Sequence, residues 1–257
     1  MSAVPETAVP DAIWLNTSSS LQCFAQPLLQ QLGQQAKIIP WQYQQQLDEE
    51  CSLEKAMLLL HQDLSAFSQP VHLIGHSTSG LLGLLYTRQY PEQIKSLTLL
   101  AVGVNISVDW QFHYYRHRLQ VSHDRLLLAM VYNLFGYQAQ HHLDCLIQLL
   151  EQDLTSSLSL HSLFRQVHLL PCRVTVPLLI CGSQDDIVVD TQALQSWQAL
   201  LKQGDRLWSC PEGGHFFHFF QASLLADQVL DFWQHACASA TDMANPNDPN
   251  LTAAIAV

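Results

Sequence analysis

The sequence predicts an α/β fold: a mostly parallel sheet of about six strands, helices on both faces, and a helical lid insertion. Three observations carry this. Short apolar runs alternate with longer amphipathic segments along both ends of the chain. Between Val71 and Leu100 an apolar run, a small-residue turn, a glycine-rich helical stretch and a second apolar run follow one another closely. After Gly103 the alternation stops, and only helical patterns follow as far as about Leu170.

In order, "AIWL" (Ala12–Leu15) reads as the first strand, and the polar loop Asn16-Thr17-Ser18-Ser19-Ser20 follows it. "FAQPLLQQL" starts a helix and "AKIIPW" is a second strand. "SLEKAMLLLHQDLSAF" is an amphipathic helix, with the acidic Asp48, Glu49 and Glu50 suited to its N-terminal side. Val71, Leu73 and Ile74 form a buried strand, and "SLTLLAVG" is the strand after the glycine-rich helix. "DWQFHYYRHRLQ", "DRLLLAMVYNLFGY", "HHLDCLIQLLEQDL" and "LHSLFRQV" are the helices of the insertion. The sheet resumes at "VPLLICGSQDD", continues through the helix "TQALQSWQALL" and the strand "DRLWSC", and closes with the helix "ADQVLDFW". The organisation expected is a core from 1–105 and 171–237, a lid from 106–170, and a disordered tail from 238–257, small and polar in composition.

At 257 residues and 48% hydrophobic content the chain can bury a sizeable core. Eleven Lys+Arg stand against 22 Asp+Glu, a formal net charge of −11 with no basic run, which argues against a nucleic-acid partner. The first residues have no basic or apolar leader pattern, and no apolar stretch approaches the roughly 20 residues of a spanning helix. A soluble, cytoplasmic protein without a transmembrane segment is expected. The 7 cysteines are scattered with no Cys-x-x-Cys pair, so reduced, mostly buried thiols are expected rather than disulfides or a zinc site. His113, His117 and the pair His141-His142 have no carboxylate spacing typical of a metal site, and neither metal nor cofactor is implied.

The chemistry centres on Gly75-His76-Ser77-Thr78-Ser79-Gly80. A serine at the apex of a sharp strand-to-helix turn presents its hydroxyl beyond the sheet edge. A serine nucleophile needs a base, and the base needs an orienting acid. Two later loops, Gly182–Val189 and Glu212–His215, each follow a strand, and parallel strands bring such loops to one edge. In these three stretches, "LIGHSTSG", "LLICGSQDDIVV" and "PEGGHFFHF", the sequence resembles the α/β-hydrolase superfamily, from Ala12 to about Trp233.

The resemblance implies Ser77 as nucleophile, Asp185 as acid and His215 as base; from the residues themselves, Asp186 and Asp190 are the alternative acids, and His218 reads as a pocket-wall or core residue. It implies an oxyanion hole from the backbone N–H of Thr78 and one from the loop after the first core strand. That loop reads His-Gly-x in the family, and here Asn16 and Thr17 stand at the His-Gly positions, so the second N–H falls on Ser18 or Thr17. Ser79 replaces the usual closing glycine, and the family's opening hairpin has no counterpart before "AIWL". Trp110, Tyr115, Phe135, Phe216 and His218 are expected to line an apolar pocket under the lid. The function implied is hydrolysis of a small-molecule carboxylic ester or thioester with a hydrophobic part. An acyltransferase, a C–C hydrolase or lyase, and a catalytically silent binding protein are the alternatives on the same fold.

Overall fold

The computed structural model describes residues 9–43, 52–104, 110–159 and 173–243. Among them, six strands form one sheet in the order β2-β1-β3-β4-β5-β6 with every neighbouring pair parallel. The elements in chain order are β1 (Ala12–Asn16), α1 (Gln26–Leu32), β2 (Ile38–Gln42), α2 (Leu53–Leu64), β3 (Val71–His76) and α3 (Thr78–Gln89). They continue with β4 (Ile94–Leu100), α4 (Trp110–His117), α5 (His123–Phe135), α6 (Gln140–Ser156), β5 (Leu178–Ser183) and α7 (Thr191–Gln195). β6 (Arg206–Cys210), α8 (Phe217–Phe220) and α9 (Ala222–Met243) complete the chain.

The apolar runs become strands because both faces of a parallel sheet are covered. The four central strands are buried almost throughout, whereas the edge strands β2 and β6 are only partly covered. Right-handed crossovers set the layers. The chain steps from β1 to β2 in one direction and from β2 to β3 and β4 in the other. Helix α1, packed with α8 and α9, therefore lies on the face opposite α2 and α3. Helices α4, α5 and α6 occupy the stretch between β4 and β5, where only helices were expected.

Some local expectations change. α9 continues to Met243, past Ala238, because the alanine-rich "ACASATDM" supports a helix despite its small, polar character. "TQALQSWQALL" divides into α7 and a 3₁₀ turn at Ser196–Ala199. Helix α2 is capped by Ser52, whose Oγ accepts the Lys55 N–H at 3.1 Å. The acidic run Asp48–Glu50, the helix expected at "LHSLFRQV" and the end of the tail lie outside the described residues. Of the described cysteines, Cys181 and Cys210 are buried as expected, but Cys23 and Cys145 are exposed.

His72 is buried in β3, bonded through Nδ1 to Ser96 Oγ at 2.6 Å and stacked on Trp233 at 4.6 Å. Burial, with a smaller effect from Lys95, lowers its pKa from 6.5 to about 3. The unfolded chain therefore takes up a proton below about pH 6.5 that the folded chain refuses until about pH 3, so stability falls as pH falls through that window. The slope is about 1.4 kcal/mol per pH unit for one such group. His72→Gln, which keeps a partner for Ser96, is expected to lose melting temperature less steeply than wild type between pH 6.5 and 4. Parallel curves would refute this account.

Candidate active site

The turn after β3 is built by two glycines. A Cβ on Gly75 would meet the Gly80 backbone at 2.6 Å, and one on Gly80 would meet Gly75 O at 2.7 Å and Val102 Cγ2 at 2.6 Å. Helix α3 can therefore start directly against the end of β3. Between them Ser77 is forced to φ 53°, ψ −126°, a region that side-chain-bearing residues rarely occupy. The Ser77 N–H still bonds Leu100 O at 2.9 Å, so the strained residue is tied to the neighbouring strand. The close approach involves Gly80, which is why Ser79 is tolerated where a glycine is usual. The Thr78 N–H opens α3, where the first N–H groups of a helix have no intrahelical acceptor.

Strand register gathers the other loops at the same edge. Leu15 pairs with Gly75, His76 with Leu100, Leu100 with Cys181, and Ser183 with Cys210. The loops after β1 and β3 diverge where the strand order reverses, the place where open parallel sheets form a crevice.

The acid loop corrects one expectation. Asp186, not Asp185, meets His215: its Oδ2 accepts from Nδ1 at 2.9 Å, with both side chains fully buried. The other Asp186 oxygen accepts the Val188 and Val189 N–H groups at 2.8 and 3.1 Å, which fixes the carboxylate's aim. Asp185 turns the opposite way and is exposed. It takes the Ser183 hydroxyl and the N–H groups of Gly214 (2.8 Å) and Gly213 (3.3 Å). Partial burial alone would raise its pKa; these hydrogen bonds outweigh that and hold it below the ordinary carboxylate value. Asp185 thus staples the two loops, and Asp186 holds the imidazole. Asp190 is the N-cap of α7, accepting from the Ala193 N–H at 2.8 Å.

A carboxylate only accepts, so Nδ1 of His215 carries its proton toward Asp186 and a neutral ring keeps the Nε2 lone pair. His215 Nε2 is buried and has no hydrogen-bond partner among the described residues. Its backbone carbonyl accepts from His76 Nε2 at 2.8 Å, which ties the base loop to the turn carrying Ser77. Burial, followed by His218 and His215, lowers His76 well below its usual value. Burial also brings His218 to about 3, with His215 the lesser cause. Both rings stay neutral near pH 7. His113 on α4 is lowered by burial first, then by His215.

Ser77, Thr78 and His215 line a cavity of about 60 Å³, together with Trp14, Leu21, Trp110, Leu158, Phe216 and His218. Trp110, Phe216 and His218, read from the sequence as pocket residues, line this cavity. Phe135 does not line this cavity but a neighbouring one with Tyr132 and Gly214, and it stacks on Phe216 at 4.7 Å and on Phe24 at 4.8 Å. Tyr115 does not line the cavity either, and packs edge-on to Tyr114 at 5.3 Å.

The loop after β1 also differs from expectation. The Thr17 N–H donates to Ser79 Oγ at 3.0 Å, and the Ser18 N–H donates to Asn16 Oδ1 at 3.0 Å. Both candidate backbone donors are already engaged. A residue that the sequence reading missed holds this loop. Asp153 on α6 is buried and accepts from Ser18 Oγ, Ser20 Oγ (2.7 Å), Trp110 Nε1 (2.9 Å) and Gln111 Nε2 (3.2 Å). Its signal was available: Asp153 follows Leu143 and Leu150 on the buried face of an amphipathic helix. Among the described residues no cluster of three or more His, Cys, Asp or Glu could hold a metal ion. None of their helices is long and apolar enough to cross a membrane.

The strain at Ser77 has a measurable cost of about 1–3 kcal/mol. Ser77→Gly is expected to unfold at higher temperature than Ser77→Ala, since only glycine relieves the positive φ. Equal stability of the two variants would remove strain from this description.

Comparison with known proteins bears on the fold and the family. The alpha/beta hydrolase family matches residues 44–228. The uncharacterized protein sll0249 of Synechocystis sp. is 45% identical over 232 residues, covering 90% of this chain and 91% of that one. A thermophilic esterase superposes with a TM-score of 0.68 at 14% identity, covering 89% of this chain and 91% of its own. The type II thioesterase BorB from the borrelidin biosynthetic cluster superposes with a TM-score of 0.60 at 18% identity, covering 89% and 94%. With a parallel sheet ending in a strained serine turn, a buried Asp–His pair at the same edge and this extent of sequence match, the chain belongs to the alpha/beta hydrolase family.

Proposed function

We propose that the protein is a serine hydrolase of carboxylic esters or thioesters, with Ser77 as nucleophile, His215 as base and Asp186 as the orienting acid. The observation that carries this reading is the buried Asp186–His215 pair, whose Nε2 has no partner and whose ring lines the same cavity as Ser77. In the proposed reaction Ser77 Oγ attacks the carbonyl carbon and Nε2 takes its proton. The imidazolium, stabilised by Asp186, then protonates the departing alkoxide or thiolate. Water repeats the sequence on the acyl-enzyme. The Thr78 N–H receives the developing oxyanion. Neutral His76 and His218 place no positive charge beside the imidazolium. Helices α4 to α6 act as the lid.

A second reading, a hydrolase-fold binding protein without turnover, is favoured by one observation: the Thr17 and Ser18 N–H groups are both engaged. A fluorophosphonate probe decides between the two. Wild type is expected to label once, at Ser77, and Ser77→Ala and His215→Ala to abolish labelling. Asp186→Asn should slow it by about 10⁴, because the amide favours the wrong imidazole tautomer. Asp185→Asn should cost about tenfold or less. Folded wild type that takes no label at neutral pH would sink the hydrolase reading in favour of binding.

The cavity supports a substrate preference as well. A buried water needs roughly 10–15 Å³, so about 60 Å³ holds a handful of non-hydrogen atoms. p-Nitrophenyl acetate and butyrate are expected to exceed the decanoate by about tenfold or more in kcat/KM. A preference for the long chain would refute a short acyl pocket.

A further inference from the structure

The two backbone donors expected on the β1 loop are unavailable, yet the groups that engage one of them leave a donor of their own. Ser79 Oγ accepts the Thr17 N–H at 3.0 Å and lies 2.9 Å from Thr17 Oγ1. Each hydroxyl owns one hydrogen, and the O–O contact uses one of the two. Whichever oxygen donates across that contact, one hydroxyl hydrogen remains without an acceptor among the described residues. Thr17 is 1% exposed and Ser79 6% exposed, so bulk water is not freely available to either. Both line the cavity shared by Ser77 and Thr78. A buried donor without a partner is uncommon and calls for an explanation.

Resting on the serine-hydrolase reading, we propose that the Thr17–Ser79 hydroxyl pair supplies the second oxyanion donor, opposite the Thr78 N–H. With Ser79 donating, the chain runs from the Thr17 N–H through Ser79 Oγ and Thr17 Oγ1 to the oxyanion; with Thr17 donating, Ser79 Oγ accepts from both Thr17 groups and its own hydrogen reaches the oxyanion. Each link polarises the next, and the last hydrogen bond is charge-assisted. Ser79 explains both halves of the arrangement. Serine at 79 draws the Thr17 N–H onto its own oxygen, 3.0 Å away and off the oxyanion position, and returns a hydroxyl hydrogen in its place. The pair lies across 62 residues of sequence, joining the β1 loop to the first turn of α3.

The test is turnover of p-nitrophenyl acetate beside fluorophosphonate labelling. Thr17→Val and Ser79→Ala each keep one hydroxyl and should lose less than about tenfold in kcat. Thr17→Ser, which keeps the hydroxyl, should retain more kcat than Thr17→Val. The double variant Thr17→Val/Ser79→Ala removes both hydroxyls and should lose about 10²–10³ in kcat, with KM within about threefold and melting temperature near that of the single variants. Should it fail to fold, Thr17→Val/Ser79→Gly asks the same question with a smaller residue in α3. If wild type labels at Ser77 but the double variant keeps kcat within tenfold, or gains, the released backbone N–H of residue 17 is the donor and the pair is overturned. If wild type does not label and Ser77→Ala hydrolyses the ester as fast as wild type, the serine-hydrolase reading falls and takes this proposal with it.

Discussion

The contact between Gly75 and Gly80 is the constraint on which the rest of the site depends. With no Cβ on either residue, α3 begins against the end of β3, and Val102 of the segment after β4 closes on the same point. That approach leaves Ser77 no conformation except one with positive φ. It also sets the first turn of α3 beside the β1 loop, where Ser79 reaches Thr17. A single methyl group at position 75 or 80 would push the helix from the strand and move Ser77, Thr78 and Ser79 together. Close-packed interiors do not absorb such a shift locally.

Around this turn, adjacent residues divide the polar work. Asp185 bonds the backbone of the histidine loop and Asp186 bonds the histidine itself. Holding a loop needs hydrogen bonds that tolerate solvent, and Asp185 is exposed. Orienting a ring needs a carboxylate whose direction is fixed, and Asp186 is buried with two backbone donors on its far oxygen. The surrounding histidines His76 and His218 are kept uncharged by burial, so neither sets a positive charge beside the Asp186–His215 pair.

Much of this was legible in the sequence. Short apolar runs and small-residue turns report strand and turn chemistry directly, and Ser77 and His215 follow from their positions after strands. Which carboxylate meets His215 was not legible. Asp185 and Asp186 occupy one loop with equal chemistry, and only the backbone path decides which carboxylate turns inward. The occupied N–H groups of Thr17 and Ser18 depend on side chains 62 and 2 residues away. Pattern reading identifies residue types there but not donors already engaged. Tyr115 and Phe135 were placed by aromatic character, which does not say which cavity, if any, a ring lines.

The Asp153 carboxylate binds groups 133 and 135 residues earlier in the chain, and others 42 and 43 residues earlier. Bonds of that span form only after long segments of chain have closed, and closing them slows folding. Strands β1 to β4, joined by shorter connections, can pair before this carboxylate has gathered its donors. The reaction edge would then be the last part of the molecule to order and the first to open under stress. A chain weakened by heat or mutation would keep its scaffold for a time after losing its chemistry, so abundance and activity in such a protein need not decline together.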